Sequence, residues 1–79
     1  FPNPFNNRST VNFNIPKSGD VKLVLYDIQG REAMMINDGS LPAGAHNMTF
    51  NASNLSTGAY LLKLDANGET QTVSTILMK

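Results

Sequence analysis

The sequence predicts an all-β fold, an immunoglobulin-like antiparallel β-sandwich of about seven strands, on three observations. Short runs alternate apolar and polar residues with the period of two that marks a half-buried strand. Clusters of Gly, Pro, Asn and Asp separate these runs about every 8 to 12 residues. No stretch has the apolar spacing of an amphipathic helix.

The leading segment Phe1-Pro2-Asn3-Pro4-Phe5-Asn6-Asn7 cannot be helical, because each proline drives the residue before it toward extended geometry and Pro4 has no amide hydrogen. It reads as a loop stiffened by Pro2 and Pro4 and anchored by Phe1 and Phe5. Residues 9–15 form the first strand, with Val11, Phe13 and Ile15 on one face and Asn12 and Asn14 on the other. Pro16 to Asp20 is a turn. Residues 21–27 follow, with Val21, Leu23 and Leu25 on one face and Lys22, Val24 and Tyr26 on the other.

Leu25-Tyr26-Asp27-Ile28-Gln29-Gly30-Arg31 is the centre of the chain, a hairpin in which Gly30 takes the positive φ of a short turn and Arg31 opens the return strand, residues 31–36. The Asp38-Gly39 pair is expected to close that strand in a tight turn, extended by Leu41-Pro42-Ala43-Gly44. Residues 46–50 come next, with His46, Met48 and Phe50 on one face; the single histidine and the absence of cysteine point to packing, not metal binding. After a polar loop holding Leu55, residues 59–65 form the strongest strand, with Tyr60, Leu62 and Leu64 facing one way. Asn67-Gly68 suits a type I′ turn, and residues 70–78 make the last strand. A seventh strand is expected in the leading loop or near Leu41. The core is expected to hold Val11, Phe13, Leu23, Leu25, Tyr60, Leu62 and Leu64.

Composition narrows the functions. The 79 residues make one domain, and six basic against six acidic side chains leave no formal net charge. No stripe of like charge steers the chain to nucleic acid or an anionic membrane, and no apolar run approaches the roughly 20 residues that span a bilayer. Without cysteine, neither a disulfide frame nor a thiolate metal site exists. The chain starts at Phe1, without a signal-peptide pattern, and reads as residues excised from a longer precursor.

Catalytic patterns are missing: there is no Ser/His/Asp spacing, no nucleophile elbow, no phosphate-binding glycine loop and no isolated carboxylate pair. The expectation is that the chain is not an enzyme and uses no cofactor. Tyr26, Tyr60, Phe13 and Phe50 could form a sugar platform, but each ring is in phase with aliphatic neighbours on its own strand or flanks a turn, which favours core packing. Glycosylation tripeptides at Asn7, Asn47, Asn51 and Asn54 carry no functional weight in so Asn-rich a chain.

Five motifs in order resemble the type A C-terminal sorting domain of cargo exported by the type IX secretion system of Bacteroidota. They are Phe1-Pro2-Asn3-Pro4-Phe5, Leu25-Tyr26-Asp27-Ile28-Gln29-Gly30-Arg31, Leu41-Pro42-Ala43-Gly44 followed by His46, Leu55-Ser56-Thr57-Gly58-Ala59-Tyr60, and an apolar ending in Lys79. The resemblance covers nearly the whole chain. It implies that residues 1–79 are a single C-terminal sorting domain that directs an N-terminal cargo domain through the periplasm and across the outer membrane, to the cell surface or the medium. The implied partners are the type IX translocon, an outer-membrane shuttle protein and a sortase-like peptidase that cuts N-terminal to the domain, with the cargo then released or joined to lipopolysaccharide. Neither nucleic acid nor direct membrane insertion is implied.

The residues that the resemblance assigns to partner binding are Gly30, Arg31, Gly58, Tyr60, Ile76, Leu77, Met78 and Lys79; whether the glycines and Tyr60 serve recognition or only folding stays open. Two positions depart from the family's pattern: Phe1 stands where tyrosine is common, and Gln71-Thr72-Val73-Ser74-Thr75 lacks the lysines that often precede the terminal apolar run. Independently of the family, the last strand either closes the sandwich or offers an unpaired edge to another protein's sheet. The competing function is an immunoglobulin-like spacer or a carbohydrate-binding module of a secreted enzyme.

Overall fold

A computed structural model describes residues 8–77. They form six strands and no helix: β1 (Arg8–Ile15), β2 (Gly19–Asp27), β3 (Glu32–Leu41), β4 (Gly44–Asn51), β5 (Gly58–Ala66) and β6 (Glu69–Leu77). One sheet has the order β3-β2-β5-β6, the other is the pair β1-β4, and every pairing is antiparallel. The two sheets make a sandwich of six described strands where about seven were expected. Leu41, one expected place for the seventh, is the last residue of β3. The leading loop with Phe1 and Phe5, the other expected place, lies outside the described residues, as do Met78 and Lys79.

The two-stranded sheet follows the alternation in the sequence. Burial along β1 and β4 switches at every residue, because one face packs inward and the other meets water. On the wet face the Thr10 and Thr49 hydroxyls lie 3.1 Å apart across the ladder. On the inner face the Phe13 and His46 rings stack, with centroids 5.4 Å apart and planes at 29°. His46 Nε2 is 2.6 Å from the Pro42 carbonyl oxygen; a carbonyl can only accept, so Nε2 carries the proton. The imidazole therefore packs a strand and ties down the β3–β4 connection.

The tight turn expected at Asp38-Gly39 is not formed. These residues lie inside β3, opposite Lys22 and Val21 of β2, and the chain reverses at Pro42-Ala43 instead. β2 begins early enough, at Gly19, to give residues 39–41 strand partners. The Asn37 side-chain amide also donates to the Val21 carbonyl at 2.9 Å and fastens this stretch to β2. Two bulges explain why Ala33-Met34-Met35-Ile36 does not alternate. The register shifts between Leu23 and Val24 and again between Leu25 and Tyr26, which leaves Ile36 and Ala33 as extra residues on β3. As a result Ala33, Met34 and Ile36 all pack against the core.

Leu25, Ala52, Tyr60 and Leu77 form the central buried cluster, and Ile15, Val21 and Leu23 are buried beside it along the sandwich. Val24 is also only 2% exposed although it points to the outer face of the sheet. Its cross-strand neighbours there are Met35 and Lys63, whose aliphatic stems cover it. Of the seven expected core residues, Leu23, Leu25 and Tyr60 are buried, while Val11, Phe13, Leu62 and Leu64 are half-buried. Among the described residues two strands face four, which leaves part of the larger sheet's inner face uncovered by strands.

Candidate functional site

The end of β2 is built around one carboxylate. Asp27 Oδ1 accepts the amide N–H groups of Gln29 and Arg31, each at 2.9 Å, and Oδ2 accepts the Arg31 guanidinium Nε–H at 3.1 Å. Backbone bonds complete the turn, from Gly30 N–H to the Asp27 carbonyl at 3.0 Å and from Asp27 N–H to the Arg31 carbonyl at 2.9 Å. Gly30 closes it at a φ of +84°, in the left-handed region where a Cβ is strained. The Arg31 amide above all holds the Asp27 carboxyl below its ordinary value; desolvation opposes it, and the Gln29 amide and the guanidinium add to the lowering. Arg31 therefore sits in the turn, outside β3, which starts at Glu32 where the sequence placed the start at Arg31.

A second motif folds up beside this turn. Ser53 N–H donates to Asn51 Oδ1 at 2.9 Å and Leu55 N–H to the Ala52 carbonyl at 3.0 Å, which curls the connection between β4 and β5. The Tyr60 hydroxyl then reaches back and donates to the Ser56 carbonyl at 2.7 Å. This resembles the tyrosine corner of immunoglobulin-like sandwiches, in which a buried phenol pins the preceding loop. Gly58 starts β5 with a φ of +156°, and a Cβ there would meet nothing within 4 Å. Its constraint is backbone conformation, not space.

Strand pairing brings the motifs together. Asp27 is opposite Tyr60 at the end of the β2–β5 ladder, and Gly58 is opposite Leu77 at the end of the β5–β6 ladder. Gly30, Arg31, Gly58, Tyr60, Ile76 and Leu77, six of the eight residues singled out in the sequence, thus share one end of the four-stranded sheet. Met78 and Lys79 lie outside the described residues. A cleft of about 250 Å³ lies between the Asp27–Arg31 turn and the Ser56–Tyr60 segment. The six differ in what they offer. The Arg31 side chain is 74% exposed and Ile76 is 70% exposed, whereas Tyr60 and Leu77 are buried in the core.

Asp27, the group that organises the turn, was not singled out in the sequence. Its signal is an aspartate four residues before an arginine across a glycine, a spacing that lets one carboxylate cap the loop and pair the guanidinium. The four rings that could have formed a sugar platform are dispersed: Tyr60 is buried, Phe50 packs against the core, Phe13 stacks on His46, and Tyr26 is half-buried on the opposite face.

No curated protein and no solved structure matches the chain significantly. The family described as the secretion system C-terminal sorting domain matches residues 1–79 in full. With the all-β sandwich around the recurring motifs, that match establishes that the chain belongs to the C-terminal sorting domains of the type IX secretion system.

Proposed function

We infer that this chain is the export address of a longer precursor, read by the type IX machinery while the cargo N-terminal to it waits to cross the outer membrane. Family membership already makes it a C-terminal sorting signal for export to the surface or the medium. The finer reading is a sequence of steps: transit through the periplasm, recognition by the translocon and an outer-membrane shuttle, and cleavage by a sortase-like peptidase N-terminal to the domain. The cargo is then released or joined to lipopolysaccharide.

The observation that carries this reading is the convergence of three of the five sorting motifs, the Asp27–Arg31 turn, the Leu55–Tyr60 segment and the tail, on one end of the sheet, although the chain scatters them widely; Leu41 lies at the other end, opposite Gly19. Folding alone needs Tyr60 and Leu77 inside, and it does not need Arg31 and Ile76 to be displayed beside them. Arg31 and Ile76 are the accessible contacts in this reading, with Met78 and Lys79 continuing the tail. Gly30, Gly58, Tyr60 and Leu77 hold them in place.

Appending the chain to a periplasmic reporter in a type IX-competent bacterium tests the address. Surface display of the reporter is the expected result, and retention in the periplasm with the domain folded would refute it.

A further inference from the structure

We propose that the outer edge of β6, which has no strand partner among the described residues, is a docking strip for an extended strand of another protein, which lies beside β6 and covers Val73 and Ile76 together. The inference rests on the sorting reading and specifies how the domain is gripped.

The two outer edges of the four-stranded sheet are unlike. β3 carries two bulges together with Glu32 and Asp38, features that keep a solitary edge from pairing with other chains. β6 pairs with β5 in unbroken register from Ala66↔Glu69 to Gly58↔Leu77, and residues 70–77 include neither a charged side chain nor a proline. Asn67 and Gly68 both have positive φ, 55° and 78°, in the two-residue turn before it. Such a turn makes Ala66 and Glu69 a hydrogen-bonded pair. Alternation along the ladder then turns the backbone N–H and C=O groups of Thr70, Thr72, Ser74 and Ile76 away from β5, toward whatever lies beside the edge.

The side chains select the mode of binding. Val73 is opposite Leu62 on the inner face and is 60% exposed; Ile76 is opposite Ala59 on the outer face. A partner lying flat on either face would cover one of them. Only a strand running along the edge reaches both, because its own side chains alternate between the same two faces. On the inner side there is room for such a residue, in a cleft of about 260 Å³ that Val73 lines with Leu62 and with Val11 of β1. The partner is thus an extended, uncharged segment with one apolar side chain directed into this cleft and another beside Ile76, held by main-chain hydrogen bonds.

The test uses the full-length protein that carries this chain, produced in a type IX-competent bacterium, with surface display and melting measured on the same variants. Val73→Thr and Ile76→Thr change exposed side chains and leave melting nearly unchanged. Each is expected to reduce display about tenfold, as losing a contact central to an interface does. Ser74→Pro removes one outward N–H at an edge position where proline is tolerated, and is expected to do the same, with Ser74→Ala as its neutral control. If Ser74→Pro unfolds, the Val73 and Ile76 variants decide. Sensitivity at Ile76 alone would overturn the proposal in favour of a partner on the outer face, and sensitivity at Val73 alone in favour of one confined to the cleft. A dimer in ultracentrifugation that the same substitutions dissolve would overturn it by making the occupant a second copy. Normal display of both threonine variants, in a protein whose display is lost when the whole chain is removed, would reject strand addition and leave the sorting reading standing. Display that survives removal of the whole chain would reject the sorting reading itself.

Discussion

Asp27 and Tyr60 face each other across the last rung of the β2–β5 ladder, and each closes a different loop at the same end of the sheet. Asp27 does so by accepting hydrogen bonds within the turn that follows it, Tyr60 by donating one to the segment that precedes it. The two sorting motifs are therefore coupled through neighbouring backbone, and substitutions in either test whether a motif residue acts through folding or through recognition.

Replacing Asp27 by alanine is expected to lower the melting temperature, because the Gln29 and Arg31 amides and the guanidinium lose their common acceptor. The effect depends on pH. Asp27 is held below its ordinary value of 3.8 in the folded chain, so its contribution is complete above that value and fades as pH falls through the lower folded value. Thermal melts of the parent and Asp27→Asn should differ at neutral pH and converge in acid. A constant difference down to the most acidic pH at which both fold would show that the carboxylate charge is not what holds the turn.

Tyr60→Phe removes a single hydroxyl from the buried corner and leaves the ring in place. It is expected to cost about 1 kcal/mol, the net worth of one hydrogen bond, or roughly 4 to 8 °C of melting temperature in a domain of this size. Ser56→Ala should cost much less, since the phenol donates to the Ser56 backbone carbonyl. Export of the Tyr60→Phe protein should persist at temperatures where it stays folded. Lost export with an unshifted melt would move Tyr60 from folding to recognition.

Gly30→Val and Gly58→Val both force a β-branched residue into positive φ, and neither added side chain meets a neighbour near its Cβ. Each should destabilise by roughly 1 kcal/mol or more through backbone conformation alone. Gly30 is the better probe, because its φ of +84° lies well inside the left-handed region. Chemical denaturation gives the cost directly, and export measured below the melting transition gives the remainder. Equal melts with lost export would identify the glycines as part of a recognised surface.

The alternating runs made β1 and β4 legible throughout and β5 in its first half, since burial follows the period of two along β1 and β4 and in β5 as far as Leu62. β3 was not legible to the same degree. Its two bulges turn Ala33, Met34 and Ile36 inward, and Asp38-Gly39 looks like a turn unless the early start of β2 is known to supply partners. Ala52 and Leu77 enter the core through the pairing of distant segments, which local pattern cannot express. The site residues were legible as motifs, but their assembly at one end depends on the β2–β5 and β5–β6 registers.

The sharpest prediction separates the tail's two tasks, which adjacent residues divide between them. Leu77 is 6% exposed and packs in the cluster with Leu25, Ala52 and Tyr60, whereas Ile76 beside it faces out. Leu77→Ala should therefore cost about 2 to 5 kcal/mol, a large part of the roughly 4 to 12 kcal/mol that holds a domain of this length together. Ile76→Ser should cost little, because most of that side chain is already in water. Deleting residues 76–79 mixes the two effects and would lose fold and export together. Lys79→Glu adds a third arm that changes charge without removing apolar area, and it should leave the melt nearly untouched while weakening export if a partner reads the terminal cation. Melting and surface display measured on all three substitutions give a definite pattern: Leu77→Ala loses both, while Ile76→Ser and Lys79→Glu lose display alone. Full display of Ile76→Ser and Lys79→Glu, with loss only in Leu77→Ala, would mean that the tail merely closes the sandwich and that the address lies elsewhere on the domain.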